Sequence, residues 1–115
     1  MCEFRVSVSS AEKDEVVAED VVSAKLEKDE MLLYDVLGSV KRVRSTIIKE
    51  LDVAKEAMVL EEVPMLAQLL SFLEAYRFCL KNGKYTDEVE KRWEELKALG
   101  DEMIKSLWRM YGRSP

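Results

Sequence analysis

The period of the apolar residues changes once along this 115-residue chain, at Val63-Pro64. Before that point they alternate or come in short β-branched runs; after it they recur every three or four residues. Such a chain folds as strands followed by helices. The expected class is therefore α+β, with one part over 1–63 and a second over 64–115. The chain is 48% hydrophobic, with only four Gly and two Pro, so there is material for a real core and none of the signature of a disordered tail.

In the first part, Phe4, Val6 and Val8 alternate with Glu3, Arg5 and Ser7, the period of a half-buried strand. Residues 9–14 are polar and break the pattern. Val16, Val17, Val21 and Val22 supply a second strand, interrupted by Glu19-Asp20. Lys28-Asp29 and Gly38-Ser39 are turn candidates on either side of residues 31–36, which are apolar at consecutive positions and so need cover on both faces. Val40 and Val43 follow within a basic stretch. Residues 45–62 read two ways. Ile47, Leu51, Ala54 and Met58 fall on one helical stripe, which propensity slightly favours. The same residues also divide into strands 46–53 and 57–61 around a turn at Ala54-Lys55-Glu56.

The second part predicts two helices. Pro64 suits a first turn; Leu66, Leu69, Leu70, Leu73, Tyr76 and Leu80 make a stripe; Asn82-Gly83 is a stop. Thr86 is positioned to cap a second helix, with Asp87 and Glu88 in its first turn and Val89, Trp93, Leu96, Met103, Leu107 and Trp108 on its inner face. Gly100 falls mid-pattern, where it either kinks the helix or weakens it. The short connection makes an antiparallel hairpin.

Charge and composition exclude several functions. The net charge is −5, with 9 basic and 15 acidic side chains in 1–63 against 9 and 8 in 64–115. Such a chain is poorly steered to nucleic acid or anionic lipid. It has no apolar run of membrane-spanning length, and no hydrophobic leader in Met-Cys-Glu-Phe-Arg, so the expected location is the cytoplasm. There is no histidine, which removes Ser-His-Asp and Cys-His nucleophiles and imidazole metal sites. With no glycine-rich phosphate loop either, no enzyme is expected.

Cys2 carries the most chemistry. Methionine aminopeptidases generally remove Met1 before a small residue, leaving Cys2 with a free α-amine and a thiol on adjacent carbons. The pair closes a five-membered N,S chelate ring on a metal ion. Two chains about a two-fold axis would offer N2S2, or that set with a backbone amide nitrogen added, and square-planar N and S donors suit Ni(II) or Cu(II). Chemistry alone leaves open that an early cysteine is incidental. Cys79 lies on the helical stripe and reads as a core thiol. Lys41, Arg42 and Arg44 form the one candidate nucleic-acid patch. No aromatic residue lies between them for base stacking, and an edge-protecting strand is the simpler account. The acidic pairs Asp14-Glu15, Glu19-Asp20 and Glu61-Glu62 lack calcium-loop spacing and read as solvated surface.

Met1-Cys2 opening a strand, Leu33-Tyr34-Asp35-Val36-Leu37-Gly38, Ile48-Lys49-Glu50-Leu51-Asp52-Val53 and Met58-Val59-Leu60-Glu61 resemble the CooT-type small nickel-binding proteins, some of which are also described as RNA-binding. The resemblance covers 1–62. It implies a small SH3-like antiparallel β-barrel, two strands within 45–62, and a homodimer binding nickel through the position of Cys2 at its interface. It also implies nickel supply to carbon monoxide dehydrogenase, with a nickel enzyme or its maturation machinery as partner. Residues 64–115 have no counterpart in short members of that family. The alternatives are an RNA-binding module using Lys41, Arg42 and Arg44, or an interaction module whose function lies in the hairpin.

Assembly follows from the apolar excess. Residues 31–36 are apolar on both faces, and Met65, Phe72, Phe78, Leu99 and Met110 lie off the main helical stripe. Left in water, such side chains would forgo burial at roughly 25 cal/mol per Å². A homodimer, held by apolar contacts with or without metal, is the expected state.

Overall fold

The structure, a computed structural model, describes residues 3–112. Six strands, β1 (Phe4–Ser9), β2 (Asp14–Glu27), β3 (Glu30–Asp35), β4 (Val40–Arg44), β5 (Thr46–Asp52) and β6 (Ala57–Glu62), precede two helices, α1 (Leu66–Asn82) and α2 (Asp87–Tyr111). The expected α+β class is what the chain adopts. It divides into two compact units, Met1–Ala67 and Gln68–Pro115, so the division falls in the first turn of α1.

The strands form one sheet in the order β4-β3-β2-β1-β6-β5, with β1 and β6 parallel and every other neighbouring pair antiparallel. No ladder joins β4 to β5, so the sheet is not closed. These two edges are nevertheless consecutive in sequence, separated by Ser45 alone. In a flat six-stranded sheet the edges would lie about 24 Å apart, whereas two Cα steps span at most about 7.6 Å. The sheet must therefore curl until its edges approach at that corner. Ser45 makes the bend with φ 53°; its N–H donates to Asp29 O (3.0 Å) and its carbonyl accepts from Val63 N (2.8 Å).

The acidic pair that interrupts the second strand is a bend within it, not an end. Asp20 has φ 55°, and the ladder shifts register between Phe4 and Val6 and again between Val21 and Ser23. One 14-residue strand thus pairs with β1 through its first half and with β3 through its second, and Val21 faces both Phe4 and Asp35. The expected turns form. Lys28-Asp29 closes a two-residue hairpin with Lys28 at φ 56°; Gly38, at φ 85°, takes the left-handed position beside Ser39. Asp35 Oδ1 accepts from Leu37 N and Ser39 N, both at 2.9 Å, and fixes that second turn.

Residues 45–62 are two strands, against the helical preference of their composition. A bulge between Ile48 and Glu50 shifts the alternation of β5 by one residue and so obscures its strand period. The core is Val6, Val21, Met31, Leu33, Met58 and Leu60, flanked by Phe4, Val8, Val17, Ala18 and Val43. Leu32, on the opposite face of β3 from Met31 and Leu33, is buried as well, as a strand apolar on both faces requires.

Thr46 is buried, and its Oγ1 has no hydrogen-bond partner among the described residues. A buried hydroxyl left unpaired forfeits about 1–3 kcal/mol of solvation. Thr46→Val keeps the β-branched shape and removes that group, so urea unfolding should show equal or higher stability. A loss above about 1 kcal/mol would mean that the hydroxyl is satisfied in solution.

In the second unit, Pro64 precedes α1 instead of occupying its first turn. Met65, at φ 76°, separates them, and the helix begins at Leu66. Gly83, at φ 60°, ends it as expected. Thr86 stands at the N-cap of α2 in extended conformation but makes no side-chain capping bond; its Oγ1 lies 3.7 Å from Cys79 Sγ. The helix runs unbroken through Gly100. The two helices meet through Phe72 and Trp93, with ring centroids 5.3 Å apart, and through Arg92. The Arg92 guanidinium donates to Ser71 O and to Glu88 Oε1, both at 2.9 Å. Ala75 and Leu96 are buried. No helix among the described residues is long and apolar enough to cross a membrane.

Candidate metal centre

Cys2 lies outside the described residues, and the candidate centre is approached from Glu3 inward. Glu3 N donates to Glu56 Oε2 at 3.3 Å, and Arg5 N donates to Glu56 O at 2.9 Å. Glu56 therefore grips the start of β1 twice, once with its side chain and once with its backbone. It does so from the turn between β5 and β6, where its φ of 51° directs the carbonyl at Arg5. That turn is itself held by Lys55 N donating to Asp52 Oδ1 (2.9 Å) and Glu56 N donating to Val53 O (3.1 Å). From there β1 runs parallel to β6, with Arg5 opposite Ala57. Leu51 and Val53, at the end of β5, are more than half exposed. Glu56 was not identifiable as a site residue from sequence. Its turn was placed correctly, but its role depends on a positive φ that a glutamate does not announce.

Among the described residues no three His, Cys, Asp or Glu side chains converge to hold a metal ion. Cys79 sits half-buried on α1 against Thr86, with no second soft donor beside it.

The basic strand is an edge strand. Arg44 holds Asp29 through Nε (3.0 Å) and Nη2 (2.8 Å), and Arg42 reaches Glu30 at 3.3 Å; Lys41 makes no ion pair among the described residues. Two of its three charges thus face carboxylates of the adjacent hairpin and leave little free field for a phosphate backbone. The hydrogen bond from Arg44 holds the Asp29 carboxyl below its ordinary value of 3.8. A depressed folded-state pKa contributes stability that is present above the unfolded value and lost as pH falls through the folded one. The stability difference between the wild type and Arg44→Ala, measured by urea unfolding at neutral pH, should therefore narrow as pH is taken below 3.8. A gap independent of pH would assign the Arg44 contribution to packing.

With the start of β1 anchored by Glu56, the comparison with known proteins becomes informative. The family described as CO dehydrogenase accessory protein CooT matches residues 1–61. The chain belongs to that family. A crystal structure of a candidate CooT from Carboxydothermus hydrogenoformans is similar over 53% of this chain and 97% of that one, with 24% sequence identity and a TM-score of 0.49. No curated protein matches. The match ends one residue before the end of β6, so the helical hairpin is an addition to the CooT-type part of the chain.

Proposed function

We propose that this chain is a cytoplasmic, non-catalytic nickel-binding protein that stores, senses or delivers Ni(II) to a nickel enzyme of the CO dehydrogenase kind, or to its maturation machinery. Membership of the CooT accessory family over the segment that begins with Met1-Cys2 carries the reading. The ligands are the α-amine and thiolate of Cys2, exposed once Met1 is removed, and two chains of a homodimer supply N2S2 to one ion. The described backbone bears on the donor set. In the metal-free chain Glu3 N donates to Glu56 Oε2, so recruiting that amide as a further donor would require it to lose this bond and its proton. The ion is cargo, and one chelate at a strand end is no part of the hydrophobic core. An SH3-like barrel is the finer form of the fold we propose for 1–63, supported by the single-residue corner at Ser45.

Nickel uptake must displace protons from two groups that titrate in model compounds near about 8 and about 8.5. Calorimetric titration of the full chain should show affinity rising steeply with pH from about 6 to about 8.5, with proton release to the buffer. Affinity flat across that range would exclude the amine and thiolate as ligands.

A further inference from the structure

We propose that the second half of α2 is a dimer seam, on which the same helix of a second copy packs antiparallel through Ile104, Leu107, Trp108 and Tyr111. The proposal shares the second copy with the reading above but needs neither nickel nor Cys2.

The register of the hairpin isolates this segment. Phe72 meets Trp93, Ser71 meets Arg92, and Cys79 meets Thr86. Continuing that antiparallel register places Leu66, the first residue of α1, opposite the neighbourhood of Leu99. Residues 100–111 of α2 therefore extend past α1 by about 18 Å of helix. Within that overhang Ile104, Leu107, Trp108 and Tyr111 follow the i, i+3, i+4, i+7 spacing of a single face. They are 68%, 56%, 57% and 66% exposed. The sequence and the structure disagree here in a useful way: Leu107 and Trp108 carry the inner-face period of a packed helix, yet α1 does not reach far enough to cover them.

Area and charge both point to a second copy. With aromatic side chains burying about 150–250 Å² each, covering these four residues together with Met103 and Met110 removes roughly 500–700 Å² per chain. Two chains then bury about 1,000–1,400 Å², which reaches the size of a specific interface. One edge of the face is charged, with Asp101 at the start of the overhang and Lys105 and Arg109 further along; Glu102, behind that edge, pairs with Lys105 of its own helix at 3.7 Å. Antiparallel packing brings like edges of the two helices together end for end, so Asp101 of each approaches Arg109 of the other. Parallel packing would set the charged edge of each helix against Met103 and Met110 of the other. Gly100, one turn before Ile104, has no side chain to obstruct the second copy's Tyr111 ring.

Sedimentation velocity on the full-length, metal-free chain tests the seam. The wild type should run at twice its 13.3 kDa mass at micromolar concentration. Ile104→Glu combined with Leu107→Glu should raise the dissociation constant about 100-fold or more while leaving helicity unchanged, since both positions are exposed. A charge exchange gives a second readout. Arg109→Glu, and separately Asp101→Lys, should each weaken self-association, and mixing the two chains should restore a dimer. A monomeric wild type overturns the proposal, as does a dimer unmoved by the Ile104 and Leu107 changes. In the latter case, nickel binding that still depends on Cys2 would leave the metal reading intact. A seam that behaves as described in a chain whose nickel binding ignores Cys2 would do the reverse.

Discussion

Cys2→Ala should give a folded protein that no longer takes up nickel. Alanine is as small as cysteine, so Met1 is still removed and the α-amine is still exposed; the substitution deletes the thiolate alone. A lone amine closes no chelate ring, and the chain has no histidine to compensate. The soft donor elsewhere, Cys79, lies in the other unit beside a threonine hydroxyl. Thermal unfolding of the metal-free variant should match the wild type within about 0.5 kcal/mol, because the core among the described residues is built from β1, β2, β3 and β6. Nickel binding by Cys2→Ala at wild-type affinity would remove the basis of the functional reading.

The largest loss of stability is expected at Leu33. Its side chain is 1% exposed at the centre of β3, in the cluster with Val6, Val21, Met31, Met58 and Leu60. Leu33→Ala leaves a cavity in a curled sheet whose strands are pinned at Ser45 and at Glu56, so the walls have little freedom to collapse. The expected cost is about 2–5 kcal/mol, against less than about 1.5 for the volume-conserving Leu33→Met. For a unit of this size each kcal/mol lowers the melting temperature by about 4–8 °C. Equal effects from the two substitutions would show that this core is loosely packed.

What the sequence makes legible follows from where its rules are local. The strand at Phe4, Val6 and Val8, the polar break after Ser9 and the turns at Lys28-Asp29 and Gly38-Ser39 depend on neighbouring residues, and all are found in place. Bulges are not local in that sense. At Ile48 and Glu50, and again near Asp20, one extra residue shifts the alternation, so that the strand period is obscured in one case and the strand looks broken in the other. The open edges were illegible for a related reason: strand order is a tertiary outcome, and only the Ser45 corner reveals how far the sheet curls. Of the candidate centre, Cys2 was readable as chemistry, while the double grip of Glu56 on Glu3 and Arg5 depends on backbone conformation. The basic strand was readable as a charge run. Its carboxylate partners Asp29 and Glu30 sit across a hairpin and become neighbours only in the ladder.

Native mass spectrometry of the untagged, full-length protein after nickel loading tests the central claim most directly, because it reads processing, stoichiometry and assembly in one spectrum. The expected species is a dimer of chains lacking Met1 and carrying one nickel ion, absent from Cys2→Ala prepared in the same way. Chains that retain Met1 yet hold nickel, or nickel bound equally well by Cys2→Ala, would contradict it.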